Sequence, residues 1–153
     1  MKKSILCLSA ILANIYQLAQ AQDMGTQNRE QIVVTEVVDG DTIDATLLEQ
    51  KKSVRIRLAD IDCAEKTKKS GNFNKQLKEW QVSEKELKEL GKESKEKLEA
   101  LITLDKKNLY FEETPDKVCN GEKRIVGILW TGDGKNINDY MLKKGGCKPY
   151  SCK

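Results

Sequence analysis

The sequence predicts a mainly β domain with helices, an α+β class built from five strands and two helices. Three observations predict it: short β-branched runs bounded by turn residues early in the chain, one long apolar stripe at helical spacing in the middle, and two more β runs followed by a short helical pattern.

The first three runs are Ile32 to Thr35, Thr42 to Leu47 and Val54 to Leu58, separated by turns at Asp39-Gly40 and Gln50-Lys51-Lys52. They read as consecutive antiparallel strands. Residues 66–82 carry Lys, Ser, Gly and Asn with scattered Phe73, Leu77 and Trp80, and read as a surface loop ending in irregular or helical structure. Ser83 then opens a helix, with Glu86 completing a capping box. Leu87, Leu90, Leu98, Leu101 and Ile102 share one face, with Ser94 filling the stripe, and Gly91 weakens the middle enough for the helix to start after it. The alternating Lys and Glu around this stripe read as a solvated face. Asn108 to Glu112 and Arg124 to Trp130 supply the last two strands. A turn at Thr131 to Gly134 leads to a second helix capped by Asn136, with Ile137, Tyr140 and Met141 inward and Gly145 as the stop. Three strands, a helix, two strands and a helix suit a five-stranded OB-type β-barrel with two helices, a fold that holds nucleic acid on its face.

The N-terminus reads as an export signal. Lys2 and Lys3 precede an apolar run from Ile5 to Ile15, and Ala19-Gln20-Ala21 is a small-x-small cleavage pattern. The run is shorter than the roughly 20 residues a spanning helix needs, and Asn14 and Gln17 interrupt it. The expected division is residues 1–21 as signal peptide, 22–30 as a flexible polar leader, and 31–153 as one folded domain. The expected location is secreted or periplasmic, with no membrane attachment after cleavage and a monomeric product. Of 153 residues, 132 remain, enough for one core. Losing Lys2 and Lys3 with no acid lowers the formal charge from +3 to +1, so attraction to phosphate must come from local placement of Lys and Arg.

Cys63, Cys119, Cys147 and Cys152 remain, and an even count in an exported domain favours two disulfides. Their spacing has no C-x2-C knuckle, which argues against a four-cysteine zinc site. Of three possible pairings, Cys147–Cys152 with Cys63–Cys119 is favoured because the first pair is close in sequence. The chain has no histidine, which removes Ser-His-Asp and Cys-His hydrolases and the usual catalytic zinc sites.

Acids and arginines concentrate at strand ends, in Val38-Asp39-Gly40-Asp41-Thr42, in Arg57 to Glu65, and in Gly121-Glu122-Lys123-Arg124. Asp41 and Asp62, brought together by neighbouring strands, could share a hard cation such as calcium, and arginines facing it could clamp a phosphate. The stretches VVDGDTIDATL (37–47), VRIRLADIDCAE (54–65) and RIVGILW (124–130) resemble, in order, motifs of the staphylococcal nuclease (thermonuclease) family. Softer matches at Gly91 to Ser94, Gly134 to Asn138 and Leu142 to Gly145 extend the resemblance over most of the mature chain. The resemblance implies a calcium-dependent nuclease acting on DNA or RNA, single-stranded in either case. It implies that Asp41, Asp62 and the Cys63 carbonyl bind Ca2+, that Arg57 and Arg124 hold the phosphate, and that Glu65 is the general base. The chain departs from the family pattern at Asp60, at Cys63, and at Ala64, where proline is usual.

Blander readings exist for each residue: Asp41 closing an Asx turn, Arg57 pairing with Asp60 or Asp62 on the surface, Glu65 solvating a loop. The alternative for the whole chain is a catalytically inactive OB-fold module that binds nucleic acid. The complete set of five charged side chains favours the enzyme.

Overall fold

A computed structural model describes residues 28–114 and 124–150. The export signal, most of the leader, Gly121 to Lys123, Cys119 and Cys152 lie outside the described residues. Ten elements follow in order: β1 (Arg29–Val37), β2 (Thr42–Leu47), β3 (Lys52–Leu58), β4 (Ile61–Asp62), α1 (Phe73–Trp80), α2 (Glu84–Leu104), β5 (Leu109–Glu113), β6 (Arg124–Thr131), α3 (Ile137–Lys144) and β7 (Lys148–Pro149).

Five strands close a barrel, as the sequence predicts, and their order is β1-β2-β3-β6-β5, while β4 and β7 pair separately. All barrel pairings are antiparallel except β3 with β6, which is parallel and aligns Arg55 with Arg124. Closure depends on β1. Its first residues pair with β5 and the rest with β2, Ile32 touching both partners, and the register slips between Val34 and Glu36. Such a bulge bends a strand and raises its twist, which lets one strand serve two neighbours. β1 starts at Arg29, inside the stretch read as leader.

The barrel interior is filled by Ile32, Ile43, Ile56, Leu58, Leu109 and Leu129, each at most 1% exposed. Leu98 and Ile102 from α2 and Ile137 and Met141 from α3 join that cluster. Ser83 and Glu86 form the predicted capping box, and α2 runs unbroken through Gly91. The expected interruption is absent because Gly91 serves packing: a Cβ there would lie 2.6 Å from the Ala64 carbonyl oxygen and 2.8 Å from the Lys66 nitrogen. The helix therefore passes hard against the segment that carries Glu65.

Among the described residues three helices are present where two were expected. Phe73, Leu77 and Trp80 give α1 an apolar face, and Phe73 is buried with Leu87 and Ala64 in a second, smaller cluster. In α3 Asn136 accepts from the Asp139 nitrogen as predicted, but Tyr140 points outward. Its inward place is taken by Asn138, which donates to the Ala59 and Gly127 carbonyls and accepts from the Leu129 nitrogen. The expected Cys147–Cys152 and Cys63–Cys119 pairing is corrected. Cys63 is bonded to Cys147, across 84 positions, because the chain after α3 returns to lie beside β4. Among the described residues no helix is long and apolar enough to cross a membrane.

Candidate active site

The turn before β2 and the end of β3 meet because Thr42 pairs with Arg57. Asp41 is thereby set beside the Arg57 guanidinium, and the Leu58 nitrogen donates to the Asp41 carbonyl at 2.7 Å. Arg57 Nη1 donates to Asp41 Oδ1, which also accepts from Thr42 Oγ1 at 3.0 Å, while Asp41 Oδ2 accepts from the Cys63 nitrogen at 2.7 Å. Arg57 Nη2 donates to the Ile61 carbonyl and to Asp62 Oδ1, each at 3.1 Å. One arginine thus draws two carboxylates from separate segments together.

Asp41 is 2% exposed, and burial raises its carboxyl well above the usual range, with Arg57 opposing. For Arg57 burial works downward, but Asp41 and Asp62 outweigh it and the guanidinium is held more firmly charged. The surface pair imagined for Arg57 is corrected in kind: its partners are Asp41 and Asp62, and the pair is mostly enclosed. Asp60, the other suggested partner, sits at φ 64° in the tight turn between β3 and β4, where Asp is one of the few residues tolerated.

Beyond Asp62 the chain runs through Cys63 and Ala64 to Glu65, whose side chain is half-buried. Burial raises the Glu65 carboxyl, partly offset by a hydrogen bond with Ser70. Asn72 Nδ2 donates to Asp62 Oδ1 at 3.2 Å, so this residue at the start of α1 caps the carboxylate instead of its helix. Gln76, fully buried, donates from Nε2 to Asp62 Oδ2 and to the Cys63 carbonyl and accepts the Glu65 N–H at Oε1.

These groups open onto a cleft of about 920 Å³ lined by Arg57, Asp62, Glu65 and Arg124. Six cationic side chains line it, Arg55, Arg57, Lys66, Lys69, Lys75 and Arg124, against the four carboxylates of Glu36, Asp39, Asp62 and Glu65. The local excess of positive charge that bulk composition did not supply is found here. Arg124 arrives through the parallel β3–β6 pairing. Tyr150, beyond β7, also faces the cleft, held by its nitrogen donating to the Asp60 carbonyl at 2.9 Å.

A family model described as staphylococcal nuclease homologue matches residues 55–152. The chain belongs to that family. Two relatives of this nuclease homologue are both named uncharacterized endonuclease. One, from Escherichia coli, is 27% identical over 117 residues, and the other, from Escherichia coli O157:H7, is 26% identical over the same length. Each match covers 76% of this chain and 59% of the relative. Arg57, Asp62, Glu65 and Arg124 lie inside the stretch the family model matches; Asp41 lies before it and joins them only through the fold.

Every site residue predicted for this nuclease homologue is therefore at one end of the barrel. Sequence reasoning missed Gln76, Asn72 and Tyr150. The signal for the first two was the spacing of Phe73, Leu77 and Trp80, which marks a short amphipathic helix; Tyr150 carried no local signal. No cluster of three or more Cys, Asp or Glu side chains poised as a metal cage exists among the described residues. The donors at hand fit a hard cation by chemistry, since they are oxygens only and two carboxylates already converge on a positive charge.

Proposed function

We propose that this chain is an exported, calcium-dependent nuclease that hydrolyses phosphodiester bonds of single-stranded DNA or RNA. The observation that carries it is the convergence of Asp41, Arg57 and Asp62 in one hydrogen-bonded cluster, with Glu65 and Arg124 on the same cleft. The named relatives, both endonucleases, support the same reading.

In this mechanism Glu65 takes the proton of the attacking water, a role its raised carboxyl suits without any imidazole. Arg57 spends three hydrogen bonds inside the site, leaving two of its five N–H groups for phosphate oxygens. Arg124, across the cleft, adds a second positive charge where negative charge accumulates in the transition state. Asp41, Asp62 and the Cys63 carbonyl would hold Ca2+, which supplies Lewis-acid stabilisation of a phosphate oxygen. Residues 1–21 act as the export signal and 22–28 as a leader ahead of β1, and the mature protein is a monomer in the periplasm or outside the cell.

The test is incubation of the purified mature protein with single-stranded DNA and with RNA, in calcium or in chelator. Cleavage in calcium that stops with chelator is expected. Retention of nucleic acid with no cleavage under any condition would replace the enzyme with a binding module.

A further inference from the structure

We propose that Gln76 is a positioning residue that sets the Asp62 to Glu65 segment, aiming the Glu65 carboxylate and fixing the Cys63 carbonyl. The inference rests on the nuclease reading of the site. Gln76 is 0% exposed, and a buried amide costs free energy unless its polar atoms are matched. All of its matches lie on one four-residue stretch. Nε2 donates to Asp62 Oδ2 at 2.9 Å and to the Cys63 carbonyl at 2.8 Å, and Oε1 accepts from the Glu65 nitrogen at 2.8 Å.

These partners leave no choice of amide orientation. Turned over, the amide would set its oxygen against a carboxylate and a carbonyl, and its NH2 against an N–H. The same logic excludes glutamate, which has no donor for Asp62 or Cys63. The apolar packing of α1 does not depend on this position, because Phe73 and Leu77 on the same helix already pack against Ala64 and Leu87. What an apolar side chain cannot do is reach three polar groups of one catalytic segment. The Cys63 carbonyl keeps a second lone pair able to face a cation, whereas the Asp62 carboxylate already accepts from Arg57, Gln76 and, at both oxygens, Asn72, so a cation there would displace the long 3.5 Å contact from Asn72.

The opposite side of the segment is closed by α2, where Gly91 brings the helix backbone against residues 64–66. Glu65 is thus held between a polar clip on α1 and a bare stretch of α2. Small displacements of a general base are costly, and loss of a hydrogen-bonding group that orients a metal-site ligand typically lowers activity or metal affinity about 10–100-fold.

The test compares wild type with Gln76→Met, which keeps the unbranched stem and removes both polar ends. Three quantities are read: kcat and KM on single-stranded DNA, calcium affinity by calorimetry, and hydrogen exchange of the Glu65 amide by NMR. The expected result is a folded variant with kcat down at least about tenfold, KM within about twofold, calcium affinity reduced, and faster exchange at Glu65. A folded variant with wild-type kcat and calcium affinity overturns the proposal. Should Gln76→Met not fold, exchange in the wild type decides: a slowly exchanging Glu65 amide supports the clip, and a fast one overturns it. Wild-type protein that cleaves nothing defeats the nuclease reading instead, and the Glu65 exchange comparison then judges the clip alone.

Discussion

Glu65 and the two arginines carry the sharpest expectations at the scale of single residues. Glu65→Gln keeps volume and removes the proton acceptor, so turnover should fall on the order of 10²–10⁴ while melting and calcium binding stay near wild type. Steady-state cleavage beside calorimetry checks this, and unchanged turnover would remove Glu65 from the mechanism. Arg57→Lys and Arg124→Lys should each lose at least about a hundredfold in rate, since an ammonium cannot copy a planar fork. Arg57→Lys should also cost stability. Arg57 bridges two largely buried carboxylates, and removing one partner of such a cluster costs on the order of 3–5 kcal/mol. Lysine keeps the charge and recovers part of that, so Arg57→Lys should lower the urea midpoint measurably below wild type. An unchanged midpoint would mean that Arg57 contributes little to holding Asp41 and Asp62. Each of these side chains was legible in the sequence, because strand-end motifs fix spacing along the chain. Their partners were not: that Asp41 Oδ2 takes the Cys63 N–H follows from register across β2 and β3, which no local pattern encodes.

At the scale of elements, Gly91 distinguishes propensity from packing. In an exposed helix interior Gly→Ala gains about 1 kcal/mol. Here the new methyl would meet backbone atoms of residues 64–66 at 2.6–2.9 Å, and backbone cannot swing aside like a side-chain tip. Overpacking of this kind costs about 1–3 kcal/mol, so Gly91→Ala should destabilise, and should slow turnover through displacement of Glu65. Chemical denaturation together with kcat reads both effects; a stabilised variant with full activity would show that the 64–66 segment yields freely. The strands and α2 were legible because period-two runs and the Ser83 capping box are local signals. α1 was legible only as the irregular or helical end of a surface loop, since its polar Lys and Asn content hid a three-residue apolar face, and Tyr140 was misplaced because Asn138, a polar residue, outcompeted it for the interior by satisfying three backbone groups. A polar side chain that earns burial through backbone hydrogen bonds looks like a surface residue in sequence.

At the scale of the whole molecule, the Cys63–Cys147 bond ties the site to the far end of the fold. A loop closed across 84 positions should contribute roughly 4–5 kcal/mol in the chain-entropy account. The Cys63→Ala, Cys147→Ala double variant is expected to unfold at clearly lower urea than the oxidised protein. Peptide mapping without reduction should recover the Cys63–Cys147 linkage, and a Cys147–Cys152 peptide in its place would contradict it. The barrel as a whole was legible from the order of its elements. The disulfide was not, because sequence proximity favoured Cys147 with Cys152, whereas the return of β7 to β4 decides the matter in space.

That long covalent span also has a meaning in time. A chain growing on the ribosome displays Asp41, Arg57, Asp62 and Glu65 within 25 residues of one another, yet Arg124 and Cys147 emerge much later. At about 5–20 residues per second, the interval between Cys63 and Cys147 is roughly 4–17 s. Until residue 131 is made β3 lacks its parallel neighbour and the barrel is open on one side, and throughout the interval β4 lacks β7. Contacts so distant along the chain form slowly and late. The acidic and basic groups are thus translated early but left unassembled, and the protein acquires its cleft only once nearly all of the domain is available to fold.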